Sequence, residues 1–246
     1  MISRLIRKLE KFAALSTAEK RALAATVQST RQLGPREDFF SENGRPKGVN
    51  LLVDGFACRY KLLPNGRRQI VGYFLPGDTC DLRVYLLKHI DHSMAAVTAA
   101  TIAHLSHDAM LAIFETFPTL KRALWWSTLV DEAIAREWIV NVGQRTGYER
   151  MAHLLCEVFH RLQNVGLASA DGCDFPLTQQ ELADTVALSP VHVNRVLQEL
   201  RQAKLIVLRD KRLTILNLDG LKAAAHFSPA YLQLEMMDNQ EPAYAF

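Results

Sequence analysis

Cysteine is scarce in this chain, and its spacing excludes more than its number. Among 246 residues there are four cysteines, Cys58, Cys80, Cys156 and Cys173, with no CxxC pair. That scatter argues against a disulfide framework or an iron–sulfur ligand set and reads as reduced, structural thiols. Long apolar runs are also missing: nothing approaches the roughly eighteen consecutive residues that a membrane-spanning helix needs. The opening MISRLIRKLEKF mixes charge with apolar residues and forms no signal-peptide core. A cytoplasmic location with no membrane partner is therefore expected. There is no Gly-rich phosphate loop and no convincing nucleophile triad, so no enzyme activity is expected. One-sided charge is lacking as well, since 29 Lys and Arg oppose 26 Asp and Glu for a net +3. The 49% hydrophobic content supplies a core for two domains or one large one.

What is present falls into distinct textures along the chain. Ile2, Leu5, Ile6, Leu9 and Phe12 form a helical stripe, and Ser16-Thr17-Ala18-Glu19 restarts a helix at an N-cap. The basic first turns raise a membrane-surface helix as an alternative to docking on a neighbouring domain; Glu10 and the short stretch favour docking. From about residue 31 to 107 short apolar runs (49–53, 56–63, 69–75 and 95–105) are broken at Gly55, Pro64-Asn65-Gly66 and Pro76-Gly77-Asp78. This is how an antiparallel sandwich or barrel reads. Asn65-Gly66 is the strongest hairpin signal, because both residues tolerate positive φ. Helical periodicity returns over 107–143, with Pro118 at a helix start and Leu120, Leu124, Ile134, Trp138 and Val142 in register. Trp125, Trp126, Leu129 and Val130 widen the stripe beyond one contact surface, which predicts packing on a partner chain as well as on its own. A hinge is placed at 143–147, followed by a helix over 148–164.

The segment LTQQELADTVALSPVHVNRVLQELRQAKLI, residues 177–206, carries the most information. Thr178 with Glu181 is a capping box, and Leu182, Ala183 and Val186 give the first helix its apolar stripe. Ala187, Leu188 and Ser189 make a turn; Ser189 is an N-cap and Pro190 suits the first helical position. On the second helix Val193, Val196, Leu197 and Leu200 share the buried face. His192, Asn194, Arg195, Gln198 and Arg201 lie on the other. Two apolar runs, 205–208 and 213–216, flank the charged tip Arg209-Asp210-Lys211-Arg212 and predict a hairpin, hence a wing. Between Pro190 and Arg212 six cations face two acids, a local excess of four that exceeds the net charge of the whole chain. Counterion release from a duplex needs such a concentration, so double-stranded DNA is the expected partner. In this reading Asn194 pairs with adenine, Arg195 with guanine O6 and N7, and Val191 meets a thymine methyl. Gln179, Ser189, Lys211 and Arg212 set register on phosphates. The candidate DNA-contacting set is Thr178, Gln179, Ser189, Val191, His192, Asn194, Arg195, Lys211 and Arg212.

The order of these parts, a β-roll with turns at Gly55, Gly66 and Gly77, a long helix and a winged two-helix unit, resembles the CRP/FNR superfamily of bacterial transcription regulators over nearly the whole chain. The resemblance implies an α+β fold: an N-terminal antiparallel, jelly-roll-like β-roll, a long dimerisation helix and a C-terminal winged helix-turn-helix. The expected domains are 1–107 (helices and β-roll sensor), 108–146 (dimerisation helix and hinge), 147–230 (DNA-binding domain) and 231–246 (tail). A homodimer on an inverted repeat is implied, with RNA polymerase as a candidate partner and the small-molecule effector unknown.

Departures from the family bear on the effector. Cyclic-AMP-binding relatives carry a Gly-Glu pair and an Arg-Ser pair for the ribose and phosphate. Here the corresponding stretches read Gly77-Asp78-Thr79-Cys80-Asp81-Leu82 and His92-Ser93-Met94. A phosphate without its cation is poorly compensated, which argues against cyclic AMP. Oxygen-sensing relatives hold a cysteine cluster near the N-terminus, yet no cysteine precedes Cys58. Haem is an alternative suggested by His89, His92, Met94, His104 and His107, with His89, His92 and His107 the first to examine; exposed loop histidines are the simpler account, and no cofactor is expected. At the position of Val191 the best-known relatives place a Glu, so the half-site should differ there. The competing readings are a cupin-like metal-binding enzyme, for which the chain lacks a His-x-His pair followed by Glu or Gln, and a protein-interaction module.

Overall fold

A computed structural model describes residues 1–44, 48–80, 82 and 89–235. Two short helices, α1 (Ser3–Leu9) and α2 (Thr17–Ala25), open the chain. α2 starts where the capping box predicts: the Ser16 amide donates to Glu19 Oε2 at 2.8 Å and the Glu19 amide to Ser16 Oγ at 3.2 Å. Eight strands follow: β1 (Val27–Leu33), β2 (Asp38–Phe40), β3 (Val49–Asp54), β4 (Ala57–Leu62), β5 (Arg68–Phe74), β6 (Thr79–Cys80), β7 (Ser93–Ala96) and β8 (Ala100–Leu105). They form two antiparallel sheets of order β1-β8-β3-β6 and β2-β7-β4-β5.

The roll is buried on more than one side. Leu33, Leu52, Ala57, Phe74, Met94, Ala96 and Ile102 fill the space between the sheets. Their chain neighbours point the other way: Leu51, Ala103 and Leu105 pack on the helices, and Cys58, Tyr73 and Ala95 pack on the C-terminal unit. Strands covered on both faces read as continuous apolar runs, and this explains one correction. The run 95–105 is two strands in different sheets, with Val97-Thr98-Ala99 crossing between them. A second correction concerns the Asn65-Gly66 turn. The Gly66 amide donates to Leu63 O at 2.9 Å and the Leu63 amide to Arg67 O at 2.9 Å, so the loop is Pro64-Asn65-Gly66, with only Gly66 at positive φ (80°). It is a type I turn closed by a left-handed residue, which is why glycine alone is required there.

Two helices occupy 107–144 where the sequence suggests one periodic stretch: α3 (His107–Thr116) and α4 (Pro118–Gln144). Pro118 excludes its predecessor from the helical region, and Phe117 accordingly sits at φ −124°, ψ 86°. α4 runs through Gly143, which narrows the hinge to Arg145 and Thr146, both extended. Thr146 then caps α5 (Gly147–Asn164) in a box with Glu149.

The C-terminal unit packs on α5. β9 (Gly172–Asp174), α6 (Gln179–Val186), α7 (Pro190–Gln202), β10 (Ile206–Arg209), β11 (Arg212–Ile215) and α8 (Leu218–Ala225) follow in order, then a 3-10 turn at Pro229–Leu232. β9 adds a third strand to the wing in the order β10-β11-β9. Beyond α8, Phe227 and Tyr231 stack around His153 and His160 of α5, so this segment covers the joint between α4 and α5.

All four cysteines are buried, and none is joined in a disulfide. Burial pushes the thiols of Cys58, Cys156 and Cys173 up to about 12, which keeps the reactive thiolate rare at neutral pH. A thiol-specific disulfide reagent at pH 8 should therefore react with the native protein far more slowly than with the denatured chain, which should give four equivalents at once. Fast native reaction at any cysteine contradicts this burial.

Candidate nucleic-acid interface

The interface is assembled from local signals that the backbone obeys. Thr178 and Glu181 form the expected reciprocal box, with the Thr178 amide donating to Glu181 Oε2 at 2.7 Å and the Glu181 amide to Thr178 Oγ1 at 3.2 Å. α6 ends in a left-handed residue, Ala187 at φ 54°. Ser189 Oγ accepts from the His192 amide at 3.2 Å, and Pro190 occupies the first turn of α7. Val193, Val196, Leu197 and Leu200 are buried. The opposite side of α7 is solvent-facing: Val191 is 82% exposed and Asn194 and Arg195 are exposed beside it.

Arg195 is oriented along that face. Its Nη2 lies 2.9 Å from His192 Nε2 and its Nε 3.7 Å from Glu199 Oε1. Exposed pairs of this kind are worth little, about 0–1 kcal/mol, so they aim the fork outward without committing it. His192 accepts here through Nε2, which makes it part of Arg195's positioning. Thr178 and Gln179 are exposed at the start of α6.

α6 itself is clasped between α7 and the roll. Arg68 Nε donates to Asp184 Oδ2 at 2.8 Å, Gln69 Nε2 donates to Thr185 O at 3.0 Å, and Tyr73 Oη lies 2.7 Å from Thr185 Oγ1. Because the Thr185 hydroxyl donates to Glu181 O, the tyrosine is the donor in this buried pair. A cleft of about 910 Å³ separates the β4–β5 hairpin from α6. None of these contacts is legible from the sequence, since their partners lie more than a hundred residues apart.

The wing behaves differently from the sequence expectation. Asp210 and Lys211 form its tip, with φ of 52° and 59°. Arg212 turns toward β9: its Nη2 donates to Ser169 Oγ at 3.1 Å and the fork sits 3.9 Å from Asp171 and 3.9 Å from Asp174. Arg209 faces Asp210 at 3.4 Å. Lys211 is the wing cation without a carboxylate beside it among the described residues, while Arg212 is partly neutralised. The charge count over 190–212 missed Asp171 and Asp174 because they precede the window.

The histidines considered for haem sit on separate elements. His89 Nδ1 faces Asn43 O at 3.3 Å, His92 Nδ1 faces Asp91 at 2.9 Å, His104 on β8 faces Asn50 at 3.4 Å, His107 opens α3, and Met94 is in the roll core. No group of three His, Cys, Asp or Glu that could hold a metal ion occurs among the described residues. Asp78 of the Gly77-Asp78 turn is buried and ion-paired; Asp81 lies outside the described residues.

Residues 30–117 match the cyclic nucleotide-binding domain family, and residues 149–224 match the Crp-like helix-turn-helix domain family. The chain belongs to the CRP/FNR superfamily. AadR of Rhodopseudomonas palustris, named a transcriptional activatory protein, is 29% identical over 195 residues, spanning 78% of this chain and 80% of AadR. FixK of Bradyrhizobium diazoefficiens, a nitrogen fixation regulation protein, is 29% identical over 208 residues, spanning 82% of this chain and 86% of FixK. The solved structure of FixK2 from Bradyrhizobium japonicum superposes with a TM-score of 0.72 at 23% identity over 80% of this chain and 96% of FixK2, which shows the shared fold. This CRP/FNR chain is accordingly a transcription regulator with a DNA-binding helix-turn-helix domain. No helix among the described residues is long and apolar enough to cross a membrane.

Proposed function

We propose that the chain works as a cytoplasmic homodimer that reads an inverted-repeat operator, α7 entering the major groove of each half-site, and that it acts by binding alone, without catalysis. The observation that carries this reading is the two-sidedness of α7. One face is packed into the core; the other presents Val191, Asn194 and Arg195 to solvent from a helix start fixed by Ser189 and Pro190. Arg195 then pairs with guanine, Asn194 with adenine, and Val191 lies on a thymine methyl. Thr178, Gln179, Ser189 and Lys211 contact the backbone; Arg212 contributes less because of Asp171 and Asp174. Activation of transcription, with RNA polymerase as partner, is carried over from the names of the relatives. The effector is other than cyclic AMP, given the residues at 77–80 and 92–94, and no cofactor is assigned.

The test begins by selecting the preferred duplex from a random pool with wild-type protein, then titrates matched and single-mismatch duplexes at several salt concentrations. Arg195→Ala should cost about 1–3 kcal/mol and relax preference at one base pair. Lys211→Ala should weaken all duplexes alike and lower the salt slope by about 1. If both variants weaken every duplex uniformly, α7 is not the reading element.

A further inference from the structure

Arg161, Asp78, Lys8 and Glu157 form a buried charged cluster at the place where the parts meet. Arg161 of α5 donates through Nη2 to Asp78 Oδ2 at 2.7 Å and to Tyr73 O at 2.8 Å, and through Nη1 to Glu157 Oε1 at 3.1 Å. Asp78 also accepts from Lys8 of α1 at 3.0 Å, and Lys8 lies 3.6 Å from Asp131 of α4. Glu157, fully buried, accepts from Trp138 Nε1 of α4 at 3.1 and 3.0 Å and from Tyr231 Oη at 2.9 Å. One guanidinium therefore joins the DNA-binding unit to the roll directly. Through Asp78 and Glu157 it also reaches the N-terminal helix, the long helix and the C-terminal segment. Lys8 and Tyr231 lie outside both matched family regions, yet each completes the same cluster. At Gly77, with φ 101°, the backbone of Arg4 comes within 3.1 Å of where a Cβ would stand, so glycine is what lets α1 close on the Asp78 turn.

Buried ions tolerate few arrangements. Each must keep its partners, because removing one leaves an uncompensated charge in low dielectric. The planar fork of arginine satisfies three acceptors on two segments at fixed angles, which an ammonium does not. A contact of this kind has discrete settings instead of sliding.

We propose that Arg161 is a positioning residue for operator reading: by tying α5 to the roll turn at Tyr73 and Asp78, with Lys8 and Tyr231 as clamps, it fixes the angle at which α7 is offered to the duplex. The inference rests on the operator-binding reading above. Spin labels are placed at two exposed sites, Asn65→Cys in the roll and Gln198→Cys on α7, in full-length protein whose own cysteines are buried. With labelled protein diluted in excess unlabelled protein, so that a dimer carries at most one labelled copy, wild type should give one narrow distance distribution without DNA. Arg161→Met should broaden it while circular dichroism keeps its helical content. Affinity for the selected operator should fall at least tenfold in Arg161→Met, with affinity for random duplex within twofold of wild type, and Arg161→Lys should lie between. If Arg161→Met does not fold, Asp78→Asn and Lys8→Met carry the same expectation from the other side of the bond. An unchanged distribution with unchanged operator affinity overturns the proposal, as does equal loss on operator and random duplex, which marks a merely structural role. Failure of wild type to select any duplex sinks the operator reading; the distance measurement stands apart from it.

Discussion

In the proposed homodimer, Leu129→Glu and Ile139→Glu should each break the pairing and lower operator affinity by about 10²–10⁴, the range by which joining two binding modules exceeds either alone. Trp125, Leu129, Glu132, Arg136 and Ile139 follow one another along α4 at alternating steps of four and three residues, the spacing of a helix–helix seam. Leu129 is 59% exposed and Ile139 72%, although their neighbours Val130 and Trp138 are buried in the same chain. In the proposed dimer a carboxylate at either position is buried against the partner helix, while the isolated chain loses little internal packing because both side chains are mostly exposed. Sedimentation equilibrium measures the mass, and thermal unfolding should show an intact fold. A variant that remains dimeric with undiminished affinity places the pairing surface elsewhere than α4.

Acid should destabilise this protein over two pH windows, the first of them set by His153. Burial, and then the Arg145 guanidinium, push this imidazole down to about 4; Glu137, with Oε1 3.2 Å from Nε2, opposes them only in part because it is already bound by Arg145 at 2.6 Å. Phe227 and Tyr231 close the other sides. The folded state thus holds the neutral ring while the unfolded chain takes a proton near the ordinary value of 6.5. Stability is complete above about pH 6.5 and falls as pH drops toward 4, by about 3 kcal/mol in total. His160, also pushed down by burial, adds loss of the same sign. Asp78 acts lower on the scale: burial by itself would raise it, but Lys8 and Arg161 together hold it down to about 2, so its contribution disappears as pH falls from about 4 toward 2. Denaturant titrations of wild type and His153→Phe at intervals of pH measure this. The variant should lose most of the slope between pH 6.5 and 4 and keep the steeper loss below. An identical slope in both proteins removes His153 as its source.

The legible part of this structure was the part written locally. Thr178 with Glu181, Ser189 with Pro190, and Ser16 with Glu19 are signals between residues no more than three positions apart, and the helices begin where they stand. The outward side chains of α7 followed from helical period alone, because only one face of that helix is covered. Strands were harder. Helices lie against one sheet and the reading unit against the other, so both faces became apolar and the alternation that separates β7 from β8 vanished. The charged cluster was not legible at all, since Lys8 and Asp78 are 70 residues apart and Arg161 and Asp78 are 83. Arg212 shows the converse error: a cation counted by its sequence neighbours is answered by carboxylates that the strand pairing of β9 and β11 brings alongside.

Between α4 and α5 the chain allows two extended residues and no more. Four backbone torsions leave little slack, so where the rod stops limits the bearings from which the Arg161 contact can hold the distal unit. Adding one amino acid to that rod would swing everything beyond it by about 100° and advance it by about 1.5 Å. In a two-fold pair the opposing readers would then face away from successive turns of the duplex. The number of residues in the rod is thereby specified as strictly as any base-contacting side chain.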